Sequence, residues 1–384
     1  MRDILLHISD NLPVSGQVNS EAILEKTTTK KKKNTWLFYE IMSSTTIKDL
    51  PNEIITKVLS YLETRDLFFF GHLSTRTRDI SRDEALWQKV TIYNKTLKSE
   101  FLEFMLRNGC KFLKLTDVQL KGSLHLRKSS ILSDLSLDRC AIKNKVLEEF
   151  LGSCHSLTEL KLRDMDLSDV NIKSLKKFVL QNKKTLQKLH LRTSRWLNME
   201  AIQFIVNNFS ELTEVNFKTN GYAMEDVLSE QSINYLANNL TEKVVKLDLG
   251  WQIFVEDEHV MKIIQRCKRL TELSLKGTSI SNNSLMCIIE NLKDSLVILR
   301  LCNTALSFDE LLELKEMPRL KVLICSHLLF RNMDDLKEQY PNCWYTKYEL
   351  LESRFYEIAT KFKKITNVDL RFTAYQGIHS YFET

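Results

Sequence analysis

Glycine and proline are scarce in this 384-residue chain, at 9 and 4 residues. No two glycines stand close enough to build a dinucleotide-binding GxGxxG turn or a P-loop, so a phosphate cradle of those types is excluded. No apolar run reaches the roughly 18 residues that a membrane-crossing helix needs. The N-terminus, with Asp3 and Asp10 around a short apolar stretch, is unlike a secretory signal, and no membrane role is expected. Eight cysteines (110, 140, 154, 267, 287, 302, 325 and 343) never form a Cys-x-x-Cys pair, which removes the main support for a zinc or thioredoxin-type site. Most fall at apolar positions of a repeat, as expected for buried, reduced thiols in the cytosol or nucleus. His-Glu-x-x-His is missing, and Cys154 and His155 are sequence neighbours, a poor geometry for a nucleophile and its base. No metal, no cofactor and no catalytic residue are expected. The net charge of +6 is spread along the chain, which is weak support for nucleic-acid binding.

What the chain has in abundance is leucine at fixed spacing. The pattern LxxLxL recurs as Leu132-Leu135-Leu137, Leu157-Leu160-Leu162, Leu186-Leu189-Leu191 and Leu212-Val215-Phe217. It continues as Val244-Leu247-Leu249, Leu270-Leu273-Leu275, Leu296-Leu299-Leu301 and Leu320-Leu323-Cys325, after a shorter unit at Cys110-Leu113-Leu115. From Leu132 onward, successive units start 25, 29, 26, 32, 26, 26 and 24 residues apart, the period of leucine-rich repeats. Between them lie runs such as residues 146–154 and 201–210, with apolar residues on one helical face. The predicted fold class is α/β: a solenoid of about nine units with a parallel sheet lining its concave face. A chain too long for one ordinary domain is accommodated because each unit packs only on its neighbours.

Residues flanking the strand leucines point into the concave face. They form three columns, and the candidate target contacts among them are Lys161, Arg163, His190, Arg192, Lys218, Lys276 and Arg300, with Ile298, Val322 and Ile324. Four lie in the last column (Arg163, Arg192, Lys218, Lys276), while Glu159, Glu214 and Glu272 lie in the first. First and last columns are roughly 13 Å apart along a strand, too far for an ion pair. The face is therefore expected to carry a basic edge suited to an acidic or phosphorylated target, or else simply a solvated charged surface. In the last units the face turns apolar, at Ile298, Val322 and Ile324, and the target or the chain's own tail should cover it.

Ahead of the repeats, residues 45–90 read as three short helices. Pro51 suits a first helical position, and Glu53 meets the positive end of the helix dipole. Ile54, Ile55, Val58, Leu59 and Leu62 form an apolar stripe. Thr64 suits the cap of a second helix carrying Asp66, Leu67 and Phe68–Phe70. A third element runs near Leu73–Ile80, before Leu86 and Trp87. So small a unit cannot bury all its apolar residues, so part of the stripe must meet a partner or cap the array.

In order and spacing, Leu50, Pro51, Glu53, Ile54, Ile55, Val58, Leu59, Leu62, Asp66, Leu67, Leu86 and Trp87 resemble the F-box, and the whole chain resembles an F-box protein with leucine-rich repeats. Cys154 and Cys267, each three residues before a strand's first leucine, resemble the cysteine-containing repeats of that family. The resemblance departs in the third helix, where Leu73-Ser74-Thr75-Arg76-Thr77 lacks the usual terminal aromatic. It implies docking on a Skp-type adaptor, through Leu50, Pro51, Ile54, Ile55, Leu59, Leu62 and Leu67 as the adaptor-facing or interface-shaping set. It also implies a cullin and a RING subunit beyond the adaptor, in an SCF-type ubiquitin ligase whose target sits on the concave face. The alternative is a repeat scaffold whose F-box-like helices serve only as an N-terminal cap. Residues 1–44, with Lys30–Lys33, are expected to be a disordered tail or a weak nuclear-import signal, and Met42 is a possible start. Residues 91–345 are assigned to the repeats. The aromatic-rich residues 346–384 are assigned to a terminal cap, or to a flap over Ile298, Val322 and Ile324, with a helix followed by a strand near residues 365–373.

Overall fold

A computed structural model describes residues 50–62, 64–125, 130–167, 170, 172–192, 197–220, 226–306, 308–326, 363–364, 366 and 368–373. The expected tail over residues 1–44 and the helix expected before residue 363 lie outside these.

Four helices open the described chain: α1 (Asn52–Leu59), α2 (Thr64–Phe70), α3 (Thr75–Ser81) and α4 (Glu84–Trp87). Where the sequence predicts Pro51 as the first helical residue, the structure holds it one place earlier, extended at φ −55° and ψ 149°. Thr64 is correspondingly inside α2 rather than capping it. Ser74 caps α3 in a reciprocal box with Thr77: the Thr77 amide donates to Ser74 Oγ at 3.1 Å, and the Ser74 amide donates to Thr77 Oγ1 at 2.8 Å. The residue that replaces the family's aromatic thus starts the helix instead of packing it. Arg76 beside it donates to the Leu50 carbonyl at 2.6 Å and to Asn52 Oδ1 at 2.8 and 3.0 Å, tying α3 to the start of α1.

The strands follow as β1 (Lys89–Tyr93), β2 (Thr96–Lys98), β3 (Phe112–Thr116), β4 (Gln119–Lys121), β5 (Asp134–Asp138), β6 (Glu159–Arg163) and β7 (Lys188–Arg192). Next come β8 (Glu214–Asn216), β9 (Lys246–Asp248), β10 (Glu272–Ser274), β11 (Ile298–Arg300), β12 (Val322–Ser326) and β13 (Asp369–Thr373). Eleven of them form one sheet in the order β1-β3-β5-β6-β7-β8-β9-β10-β11-β12-β13, every pair parallel, while β2 and β4 pair separately. The array therefore begins at Lys89, one unit before the Cys110 unit that the leucine spacing marks. Val90 and Ile92 fill the leucine places there, in register with Leu113 and Leu115.

Register aligns Leu113, Leu135, Leu160, Leu189, Val215, Leu247, Leu273, Leu299 and Leu323 in one buried row. Between strands, α5 (Ser99–Arg107), α6 (Asn144–Leu151), α7 (Lys176–Asn182), α8 (Met199–Asn208), α9 (Glu230–Asn239), α10 (Asp257–Arg266), α11 (Asn282–Leu292) and α12 (Phe308–Leu312) supply the outer layer. Adjacent units are also stitched by hydroxyls: Ser133, Thr158, Thr213 and Thr271 each donate to a carbonyl of the preceding unit at 3.0–3.2 Å. Buried Asn182 does the same with an amide, accepting from the Leu157 amide and donating to the Cys154 and Phe178 carbonyls, each at 2.8 Å.

One backbone feature repeats with the units. Asn94, Asp117, Arg139, Asp164, Trp251, Gly277 and Asn303 all have φ between 49° and 65°, each two residues past a buried apolar residue in or just after a strand. Asn, Asp and Gly tolerate that region, and Arg and Trp do so at a cost. Arg139 is held there by a two-pronged pair to Asp117 at 2.7 and 2.9 Å. Trp251 lies against Gly277, where an added Cβ would come within 2.3 Å of the ring.

Candidate functional site

Two surfaces emerge, one on the helical unit and one on the sheet. In α1 the apolar stripe splits in two. Ile55 and Leu59 are buried and Leu62 is half-buried, forming the inward row, with Leu67 of α2 buried beside them. One position earlier, Ile54, Val58 and Tyr61 follow the same i, i+4, i+7 spacing, so this row is turned about 100° from the first. Ile54 is 49% exposed and Tyr61 42%, with Val58 half-buried. Phe69 in α2 and Leu73 before α3 are more exposed still, at 53% and 63%. Of the residues assigned to adaptor docking, Ile55, Leu59 and Leu67 therefore shape the unit from inside, Leu50 and Leu62 lie at its margin, and Pro51 and Ile54 are on its surface. Tyr61, Phe69 and Leu73 escaped sequence reasoning. The one-residue offset between the two rows was the available signal.

This unit is fused to the solenoid. Trp87 is fully buried and donates its Nε1 hydrogen to the Ser81 carbonyl at 2.5 Å. Its ring meets Phe104 of α5 edge-on at 5.0 Å, and Phe68 of α2 meets Phe101 and Phe104 at 4.7 and 5.2 Å. The helical unit and the first repeat share one aromatic core.

Strand register aligns the first and middle columns along the face, as at Lys161, His190, Asn216, Asp248, Ser274, Arg300 and Ile324, and the last column at Asp138, Arg163 and Arg192. Two acids of the first column are paired with cations of the first and middle columns. Glu159 pairs with Lys161 on its own strand and lies 3.9 Å from Lys188 on the next. Glu272 holds Lys246 at 2.5 Å and Arg300 at 3.6 Å. The middle column, two residues from the first, is within reach of the acids that the last column is not. Lys276 Nζ lies over the Trp251 ring, 5.8 Å from its centre. Lys218 runs its stem along Gly250. His190 is 6% exposed, with Nε2 3.1 Å from Glu214 Oε1. That proximity to His190 holds the Glu214 carboxyl below its ordinary range. Burial raises Glu159 but Lys161 outweighs it, and the carboxyl sits low, while burial pushes Asp134 in the neighbouring strand up.

At the far end, Ile298, Val322 and Ile324 are half-buried and adjacent in register. β13 forms where the sequence predicts a strand. It pairs along the edge of β12, Val322 with Asp369 and Ile324 with Arg371, so this strand extends the sheet beside the apolar residues. The remainder of residues 346–384 lies outside the described residues.

Burial drives the Cys110 thiol to about 12 and those of Cys154 and Cys267 to about 11. They are inert packing groups at neutral pH. Among the described residues no three His, Cys, Asp or Glu side chains cluster to hold a metal, and no helix is long and apolar enough to cross a membrane.

Comparison with known proteins places an F-box-like family model on residues 47–93, the helical unit together with β1. The chain thus carries an F-box-like domain followed by leucine-rich repeats. Among solved structures, one similar fold is in the yeast Rad7 and Elc1 complex, at 14% identity and a TM-score of 0.35, covering 81% of this chain and 94% of that one. Another is an internalin from Listeria monocytogenes, at 15% identity and a TM-score of 0.36, covering 64% and 83%. Both are too distant to bear on function or partners.

Proposed function

We propose that this chain is the target-binding subunit of an SCF-type ubiquitin ligase, itself without catalytic activity. The F-box-like helices dock on a Skp-type adaptor, the adaptor links to a cullin and RING subunit, and the concave sheet holds the protein to be modified. The observation that carries this reading is the F-box-like domain itself, with its outward row of Ile54, Val58 and Tyr61 and the exposed Phe69 and Leu73 on its surface. A cap alone needs an apolar face only toward the array, and that face is already met by Phe68 and Trp87. Chemistry supplied by partners makes this chain's contribution one of proximity and orientation. The buried, protonated thiols support a place in the cytosol or nucleus.

The second reading, a repeat scaffold capped by these helices, is favoured by the same shared aromatic core. Affinity capture separates the two. The intact chain is expected to retain a co-expressed Skp-type adaptor and cullin, and an Ile54→Asp, Leu73→Asp variant is expected to lose both while keeping its helical spectrum. A folded wild-type chain that captures no adaptor leaves the scaffold reading in its place.

A further inference from the structure

Most cations on the concave sheet are already engaged. Glu159 occupies Lys161 and faces Lys188, Glu272 occupies Lys246 and Arg300, and Lys276 rests over Trp251. Arg163 and Arg192 differ. They are register partners on β6 and β7, so their backbones are about 4.8 Å apart, and like charges so placed repel. Neither has a carboxylate partner among the described residues. Asp138, the register partner of Arg163 on its other side, is turned to Arg139 at 3.0 Å. Arg192 also has its Nε buried without a hydrogen-bond partner among the described residues. Two residues back on the same face, His190 is 94% buried, and neither of its ring nitrogens makes an aligned hydrogen bond, although Nε2 lies 3.1 Å from Glu214. Buried donors are nearly always satisfied. Here a like-charged pair and a buried imidazole face the same side of adjacent strands with that capacity unspent.

We infer that Arg163, Arg192 and His190 form a binding site for one oxyanion, a phosphate monoester or a carboxylate carried on a side chain of the target. The planar fork of arginine matches either group two-pronged. Glu159 and Glu214 in the first column repel an anion from the start of these strands, so it is held at their C-terminal ends. The site rests on the receptor reading only for the source of the anion.

The test uses the full chain and simple probes: inorganic phosphate, acetate and chloride at matched ionic strength, with apparent affinity taken from the rise in melting temperature. The wild type is expected to respond to phosphate, or to phosphate and acetate, but not to chloride. Arg163→Gln with Arg192→Gln is expected to bind at least tenfold more weakly, and Lys243→Gln with Lys262→Gln, cations paired with Glu211 and Glu258 instead, to match the wild type. Response to phosphate alone identifies a phosphorylated target, and response to both identifies an acidic one. No response beyond chloride, or an equal response in all three proteins, overturns the site. His190→Asn, which keeps both arginines, reads the same site if the double variant does not fold, and an unchanged affinity there overturns the role of the imidazole. Adaptor capture on the same preparations keeps the two readings apart: anion binding lost with capture retained follows from the site alone, and capture absent with anion binding intact overturns only the receptor reading.

Discussion

Truncating Trp87 to alanine should disconnect the helical unit from the solenoid. The side chain is fully buried, so its removal costs about 3–5 kcal/mol from lost transfer and the cavity left behind. The Ser81 carbonyl also loses the Nε1 donor, which adds about 1 kcal/mol. A unit of some forty residues has too small a core of its own to absorb a loss of about 4–6 kcal/mol. The buried leucine row from Leu135 onward lies two or more strands along the sheet from β1, the strand that follows Trp87. Hydrogen exchange should therefore show the amides of α1, α2 and α3 exchanging freely in Trp87→Ala, while those of β5 to β11 keep wild-type protection. Thermal unfolding followed by circular dichroism should split into a low and a near-wild-type transition. A single transition displaced uniformly, or a loss of less than about 1 kcal/mol, would refute the claim that this aromatic core is what joins the two parts.

The outward row is exposed, so Ile54→Asp with Tyr61→Asp should leave the melting temperature within about 2 °C of wild type and weaken adaptor capture at least tenfold, measured by affinity capture. At Gly277, φ is +65° and an added Cβ meets the Trp251 ring, so Gly277→Ala should destabilise by about 2–3 kcal/mol in urea unfolding and change the tryptophan emission. Burial raises the Asp257 carboxyl, but bonds from the Ser281 amide and hydroxyl and the Ser284 hydroxyl outweigh it, and the folded value lies below 3.8. Its contribution is thus complete above pH 3.8 and lost as pH falls through the lower folded value, by linkage. Asp257→Asn should flatten that acid limb in a melting series from neutral pH to pH 2, and an unchanged limb would count against the assignment.

The repeat array was legible because the same buried place is filled by leucine in nearly every unit, and because a period of two makes the flanking columns follow automatically. The unit at Lys89 escaped for the converse reason: Val90 and Ile92 pack as well as leucine but break the spelling. The ion pairs escaped because sequence columns give backbone spacing, whereas long side chains reach across strands and two residues along one. In the helical unit the stripe was readable, but which of Ile54 and Ile55 faces inward is a matter of one residue in helical phase. That phase is set by the packing of α1 on α3, which Arg76 ties to its start from more than twenty residues on in sequence. Nothing local announced that Trp251 would adopt a left-handed backbone, since all but Arg139 of the other residues that do so at this repeat position are Asn, Asp or Gly.

An unbroken sheet running from the strand beside the helical unit has a metrical consequence. β1 is four strand steps from β7, so His190 and Arg192 stand about 19 Å along the sheet from the edge strand that follows the F-box-like helices. Each unit inserted between them would lengthen that interval by about 4.8 Å, and each unit removed would shorten it by as much, with no change in the chemistry of either end. The solenoid is in this respect a ruler graduated in strands. Whatever is held at its middle divisions is presented at a fixed reach from whatever grips the helices, and under the proposed ligase role lysines of a bound protein would be selected by that distance as much as by their sequence.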